Sequence, residues 1–174
     1  DWGDGVTENF ALGIKAEHVY NYSAISESTL CSRGYKQVLI TITPQVAGTL
    51  TSINLTSKHT NSPNALNTFL DIIVAGVNIN SVKCGNLSCL ESFSFIGTNN
   101  IMSFNSMFYG CTSLQTIPLL DTSLGTNFSS MFYNCTSLWT IPQIDTSKCT
   151  NFGSMFYNCK VLQSIPLLNT SQGT

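Results

Sequence analysis

Charged residues are scarce in this chain of 174 residues. Asp, Glu, Lys and Arg together make up 9% of it, against roughly 25% in ordinary soluble domains. The net charge is −2, so no basic field exists that would attract nucleic acid or anionic lipid. Solubility must instead come from Asn, Ser and Thr, a composition typical of extracellular or particle-surface proteins. We therefore expect no nucleic-acid partner.

Features needed for membrane insertion and for catalysis are also missing. No run of 18 apolar residues occurs, so no segment is predicted to insert into a membrane. Histidine occurs only twice, and the chain lacks the G-x-S-x-G, H-E-x-x-H and P-loop motifs. We therefore expect no enzyme, no catalytic residue, no cofactor and no metal site.

Two groups of carboxylates could instead indicate a catalytic site or a metal site. Asp121 and Asp145 recur at one repeat position and suggest an acid–base pair, but the third copy has Asn169 there. Asn and Asp cap turns equally well, which favours a turn role.

The segment D-W-G-D-G-V-T-E suggests calcium through Asp1, Asp4 and Glu8, yet it has too few oxygen ligands at alternate positions. A D-G hairpin turn is favoured, with positive φ at Gly5 and with Trp2 in a β core.

What the chain does contain is a repeat. SMFYGCTSLQTIPLLDTS, SMFYNCTSLWTIPQIDTS and SMFYNCKVLQSIPLLNTS begin at Ser106, Ser130 and Ser154, 24 residues apart. A fixed period of this size marks a stacked-repeat architecture. The final LLNTSQGT stops where the earlier copies continue with NF and then SMF. We therefore expect the chain to be a fragment of a longer one.

Each copy carries two apolar patterns. Phe128, Met131, Phe132 and Cys135 have the i, i+3, i+4, i+7 spacing of a short amphipathic helical turn. The L-x-x-I-P that follows predicts a short strand, with proline tolerated near its end. The predicted core residues recur in threes: Met107, Met131, Met155, Cys111, Cys135, Cys159, Leu114, Leu138, Leu162, Ile117, Ile141 and Ile165.

The motif M-F-x-x-C-x-x-L-x-x-I-P, with its T-S-x-x-T-N-F link, resembles the BspA-type leucine-rich repeats of bacterial surface proteins over residues 81–174. D-W-G-D-G, His18-x-Tyr20 and YKQVLITIT resemble a polycystic-kidney-disease-type (PKD-like) β-sandwich segment over residues 1–49. Residues 50–80 would form capping or irregular first rungs.

Together these pieces are similar to surface proteins of bacteria and to virion proteins of marine bacteriophages. The resemblance implies a β-rich α/β fold, in which a short leucine-rich-repeat solenoid follows a partial β-sandwich-like segment and continues beyond residue 174. It implies binding or display.

Seven cysteines raise the question of disulfides. Cys111, Cys135 and Cys159 would stack ~4.8 Å apart, but side chains in such a column run parallel and do not face each other. We predict a reduced, inward-facing ladder. A Cys84–Cys89 disulfide is the less favoured alternative. Two further cysteines have no evident partner: Cys31 and Cys149.

Two columns of side chains are candidates for recognition. Tyr109, Tyr133 and Tyr157 lie off the apolar stripe, and we predict that they form an outward or half-buried column. Aromatic rings with amide neighbours suit sugar or protein contacts. The equally weighted alternative is a tyrosine stack that shields the turn beneath it. A variable column lies beside the strand: Gln115, Trp139 and Gln163.

The sequence thus predicts a non-enzymatic protein of surface display and recognition. The leading hypothesis is a bacteriophage virion structural component, a fibre or capsid decoration at the virion surface that mediates attachment or inter-subunit contacts. The alternative is an extracellular adhesin on the bacterial cell surface. Expected partners are other virion or surface proteins, host glycans or a receptor, with oligomerisation left open.

Overall fold

The computed structural model describes the following residues of the chain: 1–11, 14, 18–30, 38, 40–43, 50–56 and 69–173. Two compact units divide the chain, Asp1–Gln45 and Val46–Thr174. No helix in these described ranges is long and apolar enough to cross a membrane. The expected boundaries after residues 49 and 80 stay a prediction. Cys31 and four of the nine residues of YKQVLITIT (35–37 and 39) lie outside the described residues.

The N-terminal unit turns sharply at D-W-G-D-G. The Trp2 amide donates to the Val6 carbonyl at 2.9 Å, and Gly5 has a φ of 93°, a conformation that costs glycine little. A carboxylate oxygen of Asp4 accepts the Val6 amide at 3.2 Å. The D-G pair therefore forms a turn, and the Asp4 carboxylate stabilises it.

An aromatic cluster follows this turn. The Trp2 ring stacks on His18 at 4.9 Å, and the edge of Tyr20 meets His18 at 4.7 Å. Two short 3-10 helices, Tyr22–Ala24 and Glu27–Thr29, come next. The described part of this unit contains no β-strand. The predicted β-sandwich-like segment is therefore wrong, since Trp2 packs on His18 and not in a β core.

The C-terminal unit begins with four strands, which pair in two parallel sheets of two. β1 (Ser52–Asn54) pairs with β3 (Ser81–Lys83), and β2 (Asp71–Ile79) pairs with β4 (Ser92–Asn99). In β2, exposed and buried residues alternate at first, because successive side chains of a strand point to opposite faces. The buried face leads into the apolar core of the repeats.

Three turn-rich repeats follow these strands: residues 104–127, 128–151 and 152–173. Backbone bonds join each repeat to the next in parallel register. The Phe108 amide donates to the Met131 carbonyl at 3.0 Å, and the Phe132 amide donates to the Met155 carbonyl at 3.0 Å. Isolated parallel bridges link Ser103, Asn127 and Asn151. Equivalent residues of the three repeats therefore lie beside one another.

Left-handed residues give the S-M-F-Y segment its shape. In the second repeat, Ser130 and Asn134 have φ of 54° and 59°. The Tyr133 amide donates to the Ser130 carbonyl, and the Cys135 amide donates to the Phe132 carbonyl, at 3.2 and 3.0 Å. These are i→i+3 bonds, and the left-handed residues at Ser130 and Asn134 prevent the turns from continuing as a right-handed helix. The amide of Phe132 is thus free to bond across to the next repeat.

The predicted α/β leucine-rich-repeat solenoid is therefore wrong. Among the described residues there is no α-helix, and the strands are confined to two two-stranded sheets that precede the repeats. The expected strand at L-x-x-I-P is also missing from the second repeat. The Trp139 amide donates to the Gln115 carbonyl at 3.1 Å, but Pro142 then removes a donor that a ladder would need.

Columns of equivalent side chains fill the core. Phe108, Phe132 and Phe156 stack at 5.8 and 5.7 Å between ring centroids. Of the predicted core residues, nine are buried: Met107, Met131, Met155, Cys111, Cys135, Leu114, Leu138, Ile117 and Ile141. Cys159 and Leu162 are half-buried, and Ile165 is 51% exposed. The third repeat, which contains these last three, packs on the second repeat through the Phe132–Phe156 stack.

A pair of variants at Asn134 separates the observed turn from a helical turn. Asn134→Gly should leave the protein about 1 kcal/mol more stable than Asn134→Ala, because a side chain in the left-handed region costs ~1–2 kcal/mol. Both variants lose the same bond from the Asn158 side-chain amide to the side-chain oxygen of Asn134, so the difference between their stabilities isolates the effect of the backbone. Urea unfolding of the two variants measures it. In a helical turn Asn134→Ala would instead be the more stable variant, since glycine destabilises a helix by ~0.8–1.0 kcal/mol relative to alanine.

Candidate recognition surface

The tyrosine column consists of Tyr109, Tyr133 and Tyr157. Their rings stack at 4.9 and 4.7 Å with interplanar angles of 8° and 15°. Tyr109 and Tyr133 are half-buried, and Tyr157 is 58% exposed. Each tyrosine follows a Met-Phe pair that is buried in the first two repeats and partly buried in the third, and the left-handed residue after it turns the chain. The inter-repeat register therefore aligns the three rings.

This stacking determines which part of each ring a partner can reach. Tyr133 has one face covered by Tyr109 and the other by Tyr157. Its edge and its hydroxyl are the groups left for contacts. In this arrangement Tyr133 can offer a partner the positive edge of its ring and its O–H group, but not the negative ring face. Tyr109, the first ring of the column, has a face that no described tyrosine covers.

The variable column consists of Gln115, Trp139 and Gln163. Backbone bonds align its members: the Trp139 amide donates to Gln115 at 3.1 Å, and the Gln163 amide donates to Trp139 at 3.2 Å. All three side chains are exposed, and Trp139 is 49% exposed. In the described part of the chain no ring contact joins Trp139 to the tyrosine column. The structure thus forms each predicted column but records no direct ring contact between them.

Asparagine side chains also bond from one repeat to the next, a feature that the sequence reasoning missed. The Asn105 amide donates to the Ser129 hydroxyl at 2.6 Å and to the Ser129 carbonyl at 3.0 Å. The Asn158 side-chain amide donates to the side-chain oxygen of Asn134 at 2.8 Å. The sequence did contain a sign of these bonds, because Asn134 and Asn158 recur one period apart, each directly after a tyrosine. These bonds tie neighbouring repeats together beside the rings.

The recurring carboxylates act as turn acceptors. Asp121 accepts the Ser123 amide at 3.0 Å, and Asp145 accepts the Ser147 amide at 2.9 Å. Hydrogen bonds from Ser123 and Ser147 lower the pKa of these two carboxyls. In the third repeat, Asn169 accepts the Ser171 amide at 3.0 Å. The shared geometry explains why Asp and Asn can replace each other here.

The thiols of the core form a second repeated feature. Cys111 donates its S–H to the Cys84 carbonyl at 3.0 Å, and Cys135 donates to the Phe108 carbonyl at 3.1 Å. Burial raises the pKa of Cys84 and Cys111 to about 12 and also raises the pKa of Cys135. The described cysteines are all free, including Cys84 and Cys89. Cys111 and Cys135 are therefore neutral hydrogen-bond donors at physiological pH.

The acidic N-terminal turn offers no assembled metal site. His18 lies 2.7 Å from a carboxylate oxygen of Asp4, and the Trp2 ring N–H donates to Glu8 at 2.6 Å. The hydrogen bond from His18 lowers the pKa of Asp4. Across the residues with a described position, no three His, Cys, Asp or Glu side chains form a group that could hold a metal ion.

Comparison with known proteins yields one match. Residues 80–174 match the family described as "Mycoplasma protein of unknown function, DUF285", which is a family of BspA-like repeats. The BspA-type resemblance is confirmed at the level of this family, and the PKD-like and bacteriophage resemblances find no support. No curated protein and no solved structure matches the chain.

Reduction should not change the stability of the protein if its core thiols are free. Dithiothreitol should leave the melting temperature unchanged, because no bond would be broken in the repeats. At pH 8, alkylation of the native protein should spare Cys84, Cys111 and Cys135, which are buried and protonated. Alkylation in urea without reductant should label all three, as read by mass spectrometry.

The contrary result is a large fall in melting temperature on reduction, because removal of a native disulfide costs ~2–5 kcal/mol. Failure of the three residues to label in urea would have the same meaning.

Proposed function

The chain belongs to the DUF285 family, which it matches over residues 80–174, and from this premise we propose that it is a non-enzymatic protein of surface display and recognition. The observation that carries the proposal is the exposure of aromatic side chains at fixed positions on a rigid array. Trp139 is 49% exposed, and the stacked rings of Tyr109 and Tyr133 are half-buried. Aromatic side chains at the surface concentrate binding energy in protein interfaces.

The repeats suit recognition because the core beneath their surface fixes the positions of the surface residues. The Phe108, Phe132 and Phe156 rings stack in the core, and the inter-repeat backbone bonds fix the position of the residues between them. Binding to such a surface costs little conformational entropy, because its residues are already ordered, and this improves affinity. Low charge also fits a surface whose contacts come from rings, hydroxyls and amides.

Two settings accommodate this function. The first is a bacteriophage virion, in which the protein would serve as a fibre or capsid decoration and mediate attachment or inter-subunit contacts. The second is the surface of a bacterial cell, where it would act as an adhesin. The Mycoplasma name of the matching family supports the second setting. Immunogold labelling of intact virions and of intact cells distinguishes the two.

The double variant Tyr133→Phe/Trp139→Ala tests the recognition surface. It removes the hydroxyl of the central stacked ring and the exposed indole, while Phe at 133 keeps the stack. We expect binding of the labelled protein to intact cells, or to a glycan array, to fall at least tenfold, because loss of an aromatic hot spot costs ~2 kcal/mol or more. The melting temperature should stay near that of the unmodified chain.

Leu167→Ala is the matched control, because Leu167 is 89% exposed and lies in neither column. It should bind as the unmodified chain does. Equal binding by the double variant and this control would contradict the proposed recognition surface.

A further inference from the structure

The tyrosine column ends at a glycine. The Phe108 amide donates to the Met131 carbonyl, and the Cys84 amide donates to the Met107 carbonyl in the same way, one period earlier. Gly85, which follows Cys84, therefore occupies the position that Tyr109 occupies after Phe108. Where a fourth ring would stack on Tyr109, Gly85 has no side chain. Among the described residues, no ring is therefore stacked on the face of Tyr109 that points away from Tyr133.

A recess of about 330 Å³ lies at this position, and we call it the Gly85 recess. Besides Gly85 and Tyr109, it is lined by Lys83 at the end of β3 and by four further polar residues: Thr56, Asn86, Asn105 and Ser106. Its volume lies at the lower end of the ~300–1,000 Å³ that is typical of small-molecule sites. The recess is therefore large enough for a ligand of the size of a sugar ring.

Two polar side chains of the recess, Lys83 and Asn86, are available to a ligand, whereas the Asn105 side-chain amide donates to Ser129. Lys83 and Asn86 are exposed, and in the described part of the protein the Lys83 ammonium has no ion-pair partner. The side-chain amide of Asn86 makes no recorded hydrogen bond with a described residue. None of the described residues that line the recess is acidic. The recess thus combines one open aromatic face, one free cation and amide and hydroxyl groups.

We propose that the Gly85 recess binds an acidic sugar, a pyranose ring that carries a carboxylate. This assignment rests on the proposed recognition function and names its ligand class. The C–H groups of the sugar ring pack on the open face of Tyr109, which is the electron-rich part of the phenol. The Lys83 ammonium pairs with the carboxylate in a charge-assisted hydrogen bond. Asn86 and Ser106 exchange hydrogen bonds with the ring hydroxyls.

The chemistry of the recess favours this class over others. A polynucleotide would need several cations along its backbone, whereas the described lining of the recess holds Lys83 alone. An apolar ligand would leave the Asn86 amide and the ammonium of Lys83 without partners, at a cost in affinity. A neutral sugar would use the ring face and the amides but not the cation. Of the ligand classes compared, the acidic sugar uses all three kinds of group.

The test uses an array of oligosaccharides that contain glucuronate, galacturonate or sialic acid, each printed beside its neutral counterpart. We expect the unmodified chain to prefer acidic members, with binding that weakens as NaCl is raised. Lys83→Gln should reduce binding to the acidic members about tenfold and leave binding to neutral members unchanged. Lys148→Gln is the matched control, because Lys148 is another exposed lysine and does not line the recess.

Gly85→Tyr provides a second variant, which restores the missing ring and fills the recess. An added Cβ would lie 3.3 Å from the Ser106 carbonyl oxygen and 3.5 Å from that of Tyr109, so its melting temperature is measured alongside. We expect binding to acidic sugars to be lost. If the variant does not fold, Lys83→Gln alone decides the question.

The outcomes separate this inference from the broader function. No binding to any acidic member by the unmodified chain, or equal binding to acidic and neutral members, overturns the acidic-sugar site. Acidic-sugar binding that survives Lys83→Gln also overturns it. If Tyr133→Phe/Trp139→Ala weakens binding while the recess variants do not, the recognition function stands and the recess is not its site.

Discussion

The structure depends on the parallel register of backbone hydrogen bonds between neighbouring repeats. In the second repeat, the Phe132 amide donates to Met155 at 3.0 Å, and the same bond joins Phe108 to Met131. This register places each residue beside its equivalent 24 positions away. A sequence that repeats its residue types at that period then builds columns of like side chains. The phenylalanine stacks in the core and the tyrosine stack at the surface both follow from it.

The same register shapes the surface that we assign to recognition. Columns of identical rings stack face to face, so they present edges and hydroxyls to a partner. Departures from the repeat create individual sites: Trp139 replaces glutamine in the variable column, and Gly85 replaces tyrosine at the end of the tyrosine column. A uniform array thus supplies rigidity, and its irregular positions supply specific chemistry.

Part of this arrangement could be predicted from the sequence. The 24-residue period and the apolar spacing at Phe128, Met131 and Phe132 indicated stacked copies and their buried residues. The predicted helical turn was wrong because consecutive i→i+3 turns bury the same positions as a helix does. The positive φ angles at Ser130 and Asn134 distinguish the two structures. Serine is rarely left-handed, so a serine in the sequence does not predict a positive φ angle. Ring orientation depends on three-dimensional packing, which explains why the covered faces and the Gly85 recess were missed.

The most direct test of this account is the scalar coupling across hydrogen bonds in the NMR spectrum of the labelled protein. We expect the amide nitrogen of Phe132 to couple to the carbonyl carbon of Met155, and that of Phe108 to couple to Met131, because these pairs share hydrogen bonds at 3.0 Å. Coupling from Phe132 to the carbonyl of Phe128 would instead show an i→i−4 helical bond. That result would contradict the register on which the core, the tyrosine column and the Gly85 recess depend.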